Sequence, residues 1–300
     1  MGSGGTKREK VPQRIFAIGS EGVREKMKVV LAQTAPVWGD TEGSGRAVLQ
    51  SLSQVPPSTR MVLLPELWSC SYDNSRMGLH AKESPGLLDA LASWARDRRS
   101  GALAGSLPWP VDGGIVNRSW LLNDAGSPVG FYDKTHLFPL LDEDKVFLPG
   151  SVPFFFDVDG FSWSSAICYD IRFPEYIRAL ALGGIDVLAV VAEWPRSRLL
   201  AWRTLVQARA IENQIYVLAC NRCGDGCGEV WGGHSMAVAP DGTVLAEGGD
   251  GEELLVVELE LRKVRDMRRA LPMWNHRRRE LYGAVGALDH PAASSPETSR

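Results

Sequence analysis

Three residues stand where a side chain could act on a bound molecule: Cys168, Glu66 and Lys134. Cys168 closes the apolar run Ser164-Ser165-Ala166-Ile167, and Pro174, six residues on, can open a helix. A thiol on a sharp strand-to-helix turn is held above a sheet, where main-chain N–H groups can receive an oxyanion. Cysteine also ends strands simply as a small hydrophobe, and position alone leaves both readings open. A thiol nucleophile needs a proton acceptor and something to hold developing negative charge. Glu66 follows Met61-Val62-Leu63-Leu64-Pro65 and Lys134 follows Phe131-Tyr132-Asp133, so each sets a charge directly after an apolar run. A charge at such a place is often a solvated loop residue. Three in one chain weaken that reading without removing it. None of His80, His136, His234, His276 and His290 has a context that marks it as the base.

The elements that must position these residues alternate between strand and helix patterns. Lys28 to Gln33, Met61 to Leu64, Gly101 to Leu107, Ile185 to Ala192, Ile215 to Asn221 and Glu253 to Leu259 read as strands. Hairpins are expected at Asp124-Ala125-Gly126, Asp159-Gly160 and Pro240-Asp241-Gly242. Ser84-Pro85 reads as a helix start, with Leu87, Leu88, Leu91, Trp94 and Ala95 on one face. Further helices are expected from Pro174 to Leu182, Trp202 to Asn213 and Leu261 to Ala270. Strands with interspersed helices imply an α/β fold, and hairpins among them imply a mixed sheet or two stacked sheets. Residues 1–26 read as a flexible extension, 27–287 as one globular domain and 288–300 as an Ala/Ser/Pro-rich tail.

Composition excludes several classes. The 300 residues are 44% hydrophobic and 23% charged, ordinary globular usage rather than a disordered, collagen-like or coiled-coil chain. No apolar run approaches the ~18 residues of a membrane span. The N-terminus lacks the apolar core of a signal peptide. The net charge of −3 gives no global field for nucleic acid or anionic lipid. Five irregularly spaced cysteines make a poor disulfide framework, which points to a reducing, cytoplasmic location.

Three segments carry a family resemblance: Leu64-Pro65-Glu66-Leu67-Trp68, Tyr132-Asp133-Lys134-Thr135-His136-Leu137-Phe138, and Ile167-Cys168-Tyr169-Asp170-Ile171-Arg172-Phe173-Pro174-Glu175. In order and spacing they resemble the signature segments of the nitrilase superfamily, the carbon–nitrogen hydrolases with a Glu-Lys-Cys catalytic set. Ala192-Glu193-Trp194-Pro195, the stretch 208–214, and Gly233-His234-Ser235 with Pro240-Asp241-Gly242 resemble its omega-amidase-like branch, which hydrolyses the terminal amide of 2-oxo acids such as 2-oxoglutaramate. The resemblance implies an α-β-β-α sandwich of two stacked mixed sheets covered by helices, often paired into homodimers. It implies Cys168 as nucleophile, Glu66 as base, Lys134 with the Tyr169 N–H as oxyanion donors, and Glu143 positioning the amide or Lys134. It implies Tyr72 and Trp194 as pocket walls, although Trp194 reads equally as a core tryptophan. No metal or organic cofactor is implied. Where the family often has Gly-Tyr-Asp, this chain has Ser71-Tyr72-Asp73, and serine lacks glycine's left-handed freedom, so a different local turn is expected. Arg172 and Glu175 read as an ion pair bracing the turn.

Competing signals are weaker. Cys220, Cys223 and Cys227, with His234 beyond, have the ligand types of a closed zinc site but unusual spacing, and Cys220 falls inside a strand. The basic run of Arg262, Lys263, Arg265, Arg268 and Arg269, followed by Arg277, Arg278 and Arg279, reads as a solvated or subunit-contact face rather than a nucleic-acid site. Alternatives to the omega-amidase expectation are a nitrilase, an aliphatic amidase or an N-carbamoyl amide hydrolase with the same residues, and a non-catalytic binding protein on the same fold.

Overall fold

The computed structural model describes residues 14–19, 24–226 and 228–286. Two seven-stranded sheets carry the chain. The first runs Glu253–Glu260, Lys26–Gln33, Met61–Leu63, Gly101–Leu103, Gly114–Leu122, and the last of these also pairs with Leu107–Val111 and Pro128–Asp133. The second runs Arg14–Ile18, Phe155–Val158, Phe161–Ile167, Val187–Ala192, Tyr216–Asn221, Met236–Val238, Val244–Glu247. Each has a parallel centre, such as Lys26–Gln33 beside Met61–Leu63, with antiparallel hairpins beside it.

Alternation along the strands explains the layering, because successive side chains point to opposite faces. Val29, Leu31, Met61 and Leu63 share one buried cluster with Ala166, Leu188 and Val190 of the second sheet. Val30, Ala32, Val62 and Leu64 turn the other way, onto Val48, Leu52, Leu88 and Leu91 of helices Thr41–Leu52 and Met77–Arg98. Ile177, Leu180, Trp202 and Val206 of helices Pro174–Leu182 and Leu199–Asn213 join the core on the far side. Strands covered on both faces read as continuous apolar runs, which is why Ile185 to Ala192 is legible. The result is the helix–sheet–sheet–helix sandwich expected.

The structure corrects three local expectations and adds one helix. Helix Met77–Arg98 passes through Pro85 instead of starting there. Its buried face (Met77, His80, Ala81, Ser84, Leu88, Leu91, Ala95) is continuous, and the Ser84 hydroxyl donates to the His80 carbonyl at 3.0 Å rather than capping. Helix Thr41–Leu52 escapes the apolar pattern because its buried face opens on Thr41, Ser44 and Gly45; Asp40 caps it by accepting from the Gly43 N–H. The run from Gly101 to Leu107 breaks in two at Gly105, where φ is +55° and a Cβ would meet the Pro65 carbonyl at 2.0 Å. Within 1–26, Arg14–Ile18 is a strand paired in parallel with Phe155–Val158. The tail expected over 288–300 lies outside the described residues. No helix among the described residues is long and apolar enough to cross a membrane.

Candidate active site

Glu66, Lys134, Cys168 and Glu193 each follow the last residues of a strand, two from each sheet, and converge where the sheets meet. The Glu66 main-chain N–H points at the Ala192 carbonyl across that seam, at 3.4 Å.

The turn after Phe161–Ile167 is sharp. Cys168 has φ +46° and opens a 3-10 turn to Arg172, followed by Pro174 at the first position of the next helix. A left-handed cysteine costs roughly 1–2 kcal/mol, so the surroundings must hold it. Asp170 supplies that hold. Its carboxylate accepts from the Ile167 N–H at 2.9 Å, the His136 N–H at 2.9 Å, and the Tyr132 hydroxyl at 2.7 Å, and meets His136 Nδ1 at 2.8 Å. Asp170→Asn turns one acceptor oxygen into a donor facing donors. We expect it to cost about 2–4 kcal/mol of stability and to slow alkylation of Cys168, checked by thermal melting and by timed iodoacetamide labelling.

Lys134 sits between two carboxylates, with Nζ 2.8 Å from Glu66 Oε1 and 2.6 Å from Glu143 Oε2. All three side chains are fully buried. Asn117 Nδ2 bridges the same carboxylates, at 2.9 Å from Glu66 and 3.0 Å from Glu143, and the Tyr72 hydroxyl donates to Glu66 Oε1 at 2.9 Å. The Phe138 N–H secures Glu143, and the Glu193 N–H donates to Glu66 Oε2 at 2.9 Å. Burial works against the Lys134 charge, but Glu143 and Glu66 outweigh it and hold its pKa above the ordinary lysine value. Burial and the neighbouring Glu66 charge push the Glu143 carboxyl up, against the pull of Lys134. Burial, then Glu66, raises the Cys168 thiol well above its usual range despite Lys134. The sulfur lies 3.7 Å from the Glu193 carbonyl oxygen. A resting thiol beside a carboxylate and an ammonium can release its proton as it attacks an electrophile, with the ammonium meeting the charge that develops.

Cys168 lines a pocket of about 500 Å³, entrance included, together with Tyr169, Trp194, the arginines Arg172 and Arg198 and the acids Glu193 and Glu229. Both arginines lie against aromatic rings: Arg172 4.6 Å over Trp194, Arg198 5.4 Å from Phe138. Among the described residues neither has a carboxylate partner, so the expected Arg172–Glu175 brace is not formed. Trp194 is both wall and core: 3% exposed, with its indole N–H donating to the Arg198 carbonyl. Tyr72 stacks on Trp231 and sits beside Glu66, a layer behind the lining in which it was expected. Ser71 has a left-handed backbone, φ +57°, although it lacks glycine's freedom there; its hydroxyl donates to Glu193 Oε1.

Sequence reasoning missed Asn117, Asp170, Glu193 and Arg198 as site residues. Glu193 carried the same signal as Glu66, a charge directly after an apolar strand, and Asn117 was a polar residue inside one. Cys220 donates its thiol to the Leu63 carbonyl at 3.3 Å within the core, and Cys227 lies outside the described residues. Arg262, Lys263, Arg268, Arg269 and Arg278 each pair with a carboxylate.

Comparison with known proteins defines the class. The family model described as Carbon-nitrogen hydrolase matches residues 28–269, and the chain belongs to that family. It is 37% identical to the 2-oxoglutaramate amidase of Bacillus subtilis over 223 residues, covering 74% of this chain and 86% of that one. It is 33% identical to the Omega-amidase YafV of Escherichia coli K12 over 253 residues, covering 83% and 95%. Among solved structures it is similar to Saccharomyces cerevisiae Nit3, a member of branch 10 of the nitrilase superfamily, with TM-score 0.77 at 25% identity over 87% of this chain and 98% of that one.

Proposed function

We propose that this protein is an omega-amidase that hydrolyses the terminal amide of a small 2-oxo acid, 2-oxoglutaramate or a close analogue, to carboxylate and ammonia. The observation that carries the reading is one pocket joining the Cys168 thiol to two arginines without acid partners among the described residues. An amide beside Cys168 and a carboxylate at Arg172 and Arg198 fit the two ends of such a substrate, and guanidinium groups suit carboxylates. The relatives named for 2-oxoglutaramate and omega-amide hydrolysis support the same class.

In this mechanism Cys168 Sγ attacks the amide carbonyl carbon while Glu66 accepts the thiol proton. Lys134 Nζ and the Tyr169 N–H receive the oxyanion. Glu66 then returns the proton to the departing nitrogen, and ammonia leaves a thioester. A water deprotonated by Glu66 attacks the thioester carbon, the C–S bond breaks, Glu66 returns its proton to the departing thiolate, and the acid leaves as carboxylate, its own proton passing to the released ammonia or solvent. Glu143 holds Lys134 and Asn117 in register, and Trp194 walls the pocket. No step calls for a metal or organic cofactor.

Ammonia release from 2-oxoglutaramate, butyramide, an aliphatic nitrile and an N-carbamoyl amino acid tests the assignment. We expect the oxo-amide to lead by kcat/KM. Arg198→Leu should raise its KM on the order of 10- to 100-fold, with butyramide hydrolysis little changed. A lead for butyramide or the nitrile would make this a sibling hydrolase. Ammonia with carbon dioxide would identify a carbamoyl substrate, and no turnover of any would favour a binding protein. We also infer a homodimer formed through helix Pro174–Leu182 and the C-terminal segment, where Leu182, Leu271, Leu281 and Tyr282 are exposed, and a cytoplasmic enzyme without nucleic-acid partners.

A further inference from the structure

Glu193 belongs to neither the nucleophile nor the base, yet its peptide touches both. Its N–H donates to Glu66 Oε2 at 2.9 Å, and its carbonyl oxygen stands 3.7 Å from Cys168 Sγ. Its side chain is buried and turns to an anchor of its own. Arg222, also fully buried, donates from Nη1 to Glu193 Oε1 at 2.9 Å. The remaining Arg222 nitrogens donate to the carbonyls of Cys223, Pro36 and Asp225, so the guanidinium is fixed on several sides. The Ser71 hydroxyl completes the anchor from a backbone with φ +57°, a conformation that favours glycine. Oε2 has no hydrogen-bond partner among the described residues.

We propose that Glu193 is a positioning residue: its ionised side chain, locked to Arg222 and Ser71, fixes the peptide that aligns Glu66 with Cys168. The inference rests on Glu66 and Cys168 acting as base and nucleophile. Neutralising Glu193 leaves Arg222 buried without its counter-charge and puts a proton where no acceptor waits, so the segment loses its anchor. The groups facing the carboxylate are Arg222 beyond Tyr216–Asn221, and Glu66, Cys70, Ser71 and Tyr72 from the loop after Met61–Leu63. Burial, with repulsion from Glu66, pushes the carboxyl up to about 7, against the pull of Arg222 and Ser71. The carboxylate is therefore intact above neutrality and lost as pH falls through that value.

The test reads Cys168 itself, without a substrate, through the rate of iodoacetamide alkylation from pH 5.5 to 9 on the full chain. Superimposed on the rise with pH that ionisation of the raised Cys168 thiol gives across this range, wild type should show an additional step with a midpoint near 7. Glu193→Gln keeps the shape and removes the charge. We expect alkylation and kcat at pH 8 to drop on the order of 10- to 100-fold, KM to stay within about twofold, and the step near neutrality to vanish. Ser71→Gly relaxes the backbone while deleting one bond to the ionised form, and should move the midpoint to higher pH by about half a unit or more. If Glu193→Gln fails to fold, the Ser71→Gly profile decides. A step that survives in Glu193→Gln, or an unmoved midpoint in Ser71→Gly, overturns the proposal. Because alkylation needs no amide, this failure is distinct from a wrong substrate, which would leave the alkylation profiles as expected and only ammonia release missing.

Discussion

Lys134→Met should cost this protein both its activity and a large part of its stability. The ammonium is the cation held by hydrogen bonds between Glu66 and Glu143, all three with side chains at 0% exposure. Removing one partner of a buried pair typically costs 3–5 kcal/mol, because the remaining charge stays in a low-dielectric site. For a chain of this size that corresponds to a fall of roughly 5–10 °C in Tm. The pH dependence has a definite sign. Without Lys134 the two carboxylates repel, and the Glu143 carboxyl, already raised by burial, loses the cation that pulls it down and rises further. Such a group favours the fold while protonated and opposes it once ionised. The deficit relative to wild type should therefore narrow at pH 5 and widen as pH rises to 8, as melting curves at the two values would reveal. An equal deficit at both would mean that the carboxylates find other partners.

Cys168→Ala should abolish turnover while leaving the fold nearly unchanged. Loss of a covalent nucleophile typically lowers kcat by on the order of 10⁴-fold or more. The substitution removes one sulfur from a site only 7% exposed, and alanine accepts the left-handed backbone no worse than cysteine. The expected result is ammonia release at background, a Tm within about 2 °C of wild type, and retained binding of the oxo-amide by calorimetry. Retained binding separates loss of chemistry from loss of the pocket. Turnover at more than a few per cent of wild type would mean that Cys168 is not the attacking atom.

Much of this was legible in the chain because buried strands announce themselves and because charge placed straight after one is anomalous. Glu66, Lys134 and Cys168 all gave that signal, and Glu143 came from the spacing of a family resemblance to Gly150. The helix at Thr41–Leu52 was not legible, since its inward face begins with threonine, serine and glycine. Proline suits the first turn of a helix, so Pro85 suggests a start, yet a continuous buried face carries the helix through it. Asp170 was hidden for a different reason. Its four donors come from the strand Phe161–Ile167, from His136 and from Tyr132, contacts that only the folded chain brings together. The two pocket arginines needed the same knowledge, because a cation is informative only once its missing partner is visible.

The seam between the sheets also has a kinetic consequence. Glu66 and the Glu193 peptide that holds it are 127 residues apart in sequence and belong to different sheets. Neither sheet alone contains the thiol with its base, so no early, locally folded fragment can react. Contacts of such long sequence separation form late, after the loop-closure entropy between them has been overcome. During refolding, hydrolytic activity should return with the slowest structural phase, after the far-ultraviolet signal of helices and strands, making the enzyme a reporter of its own final docking step.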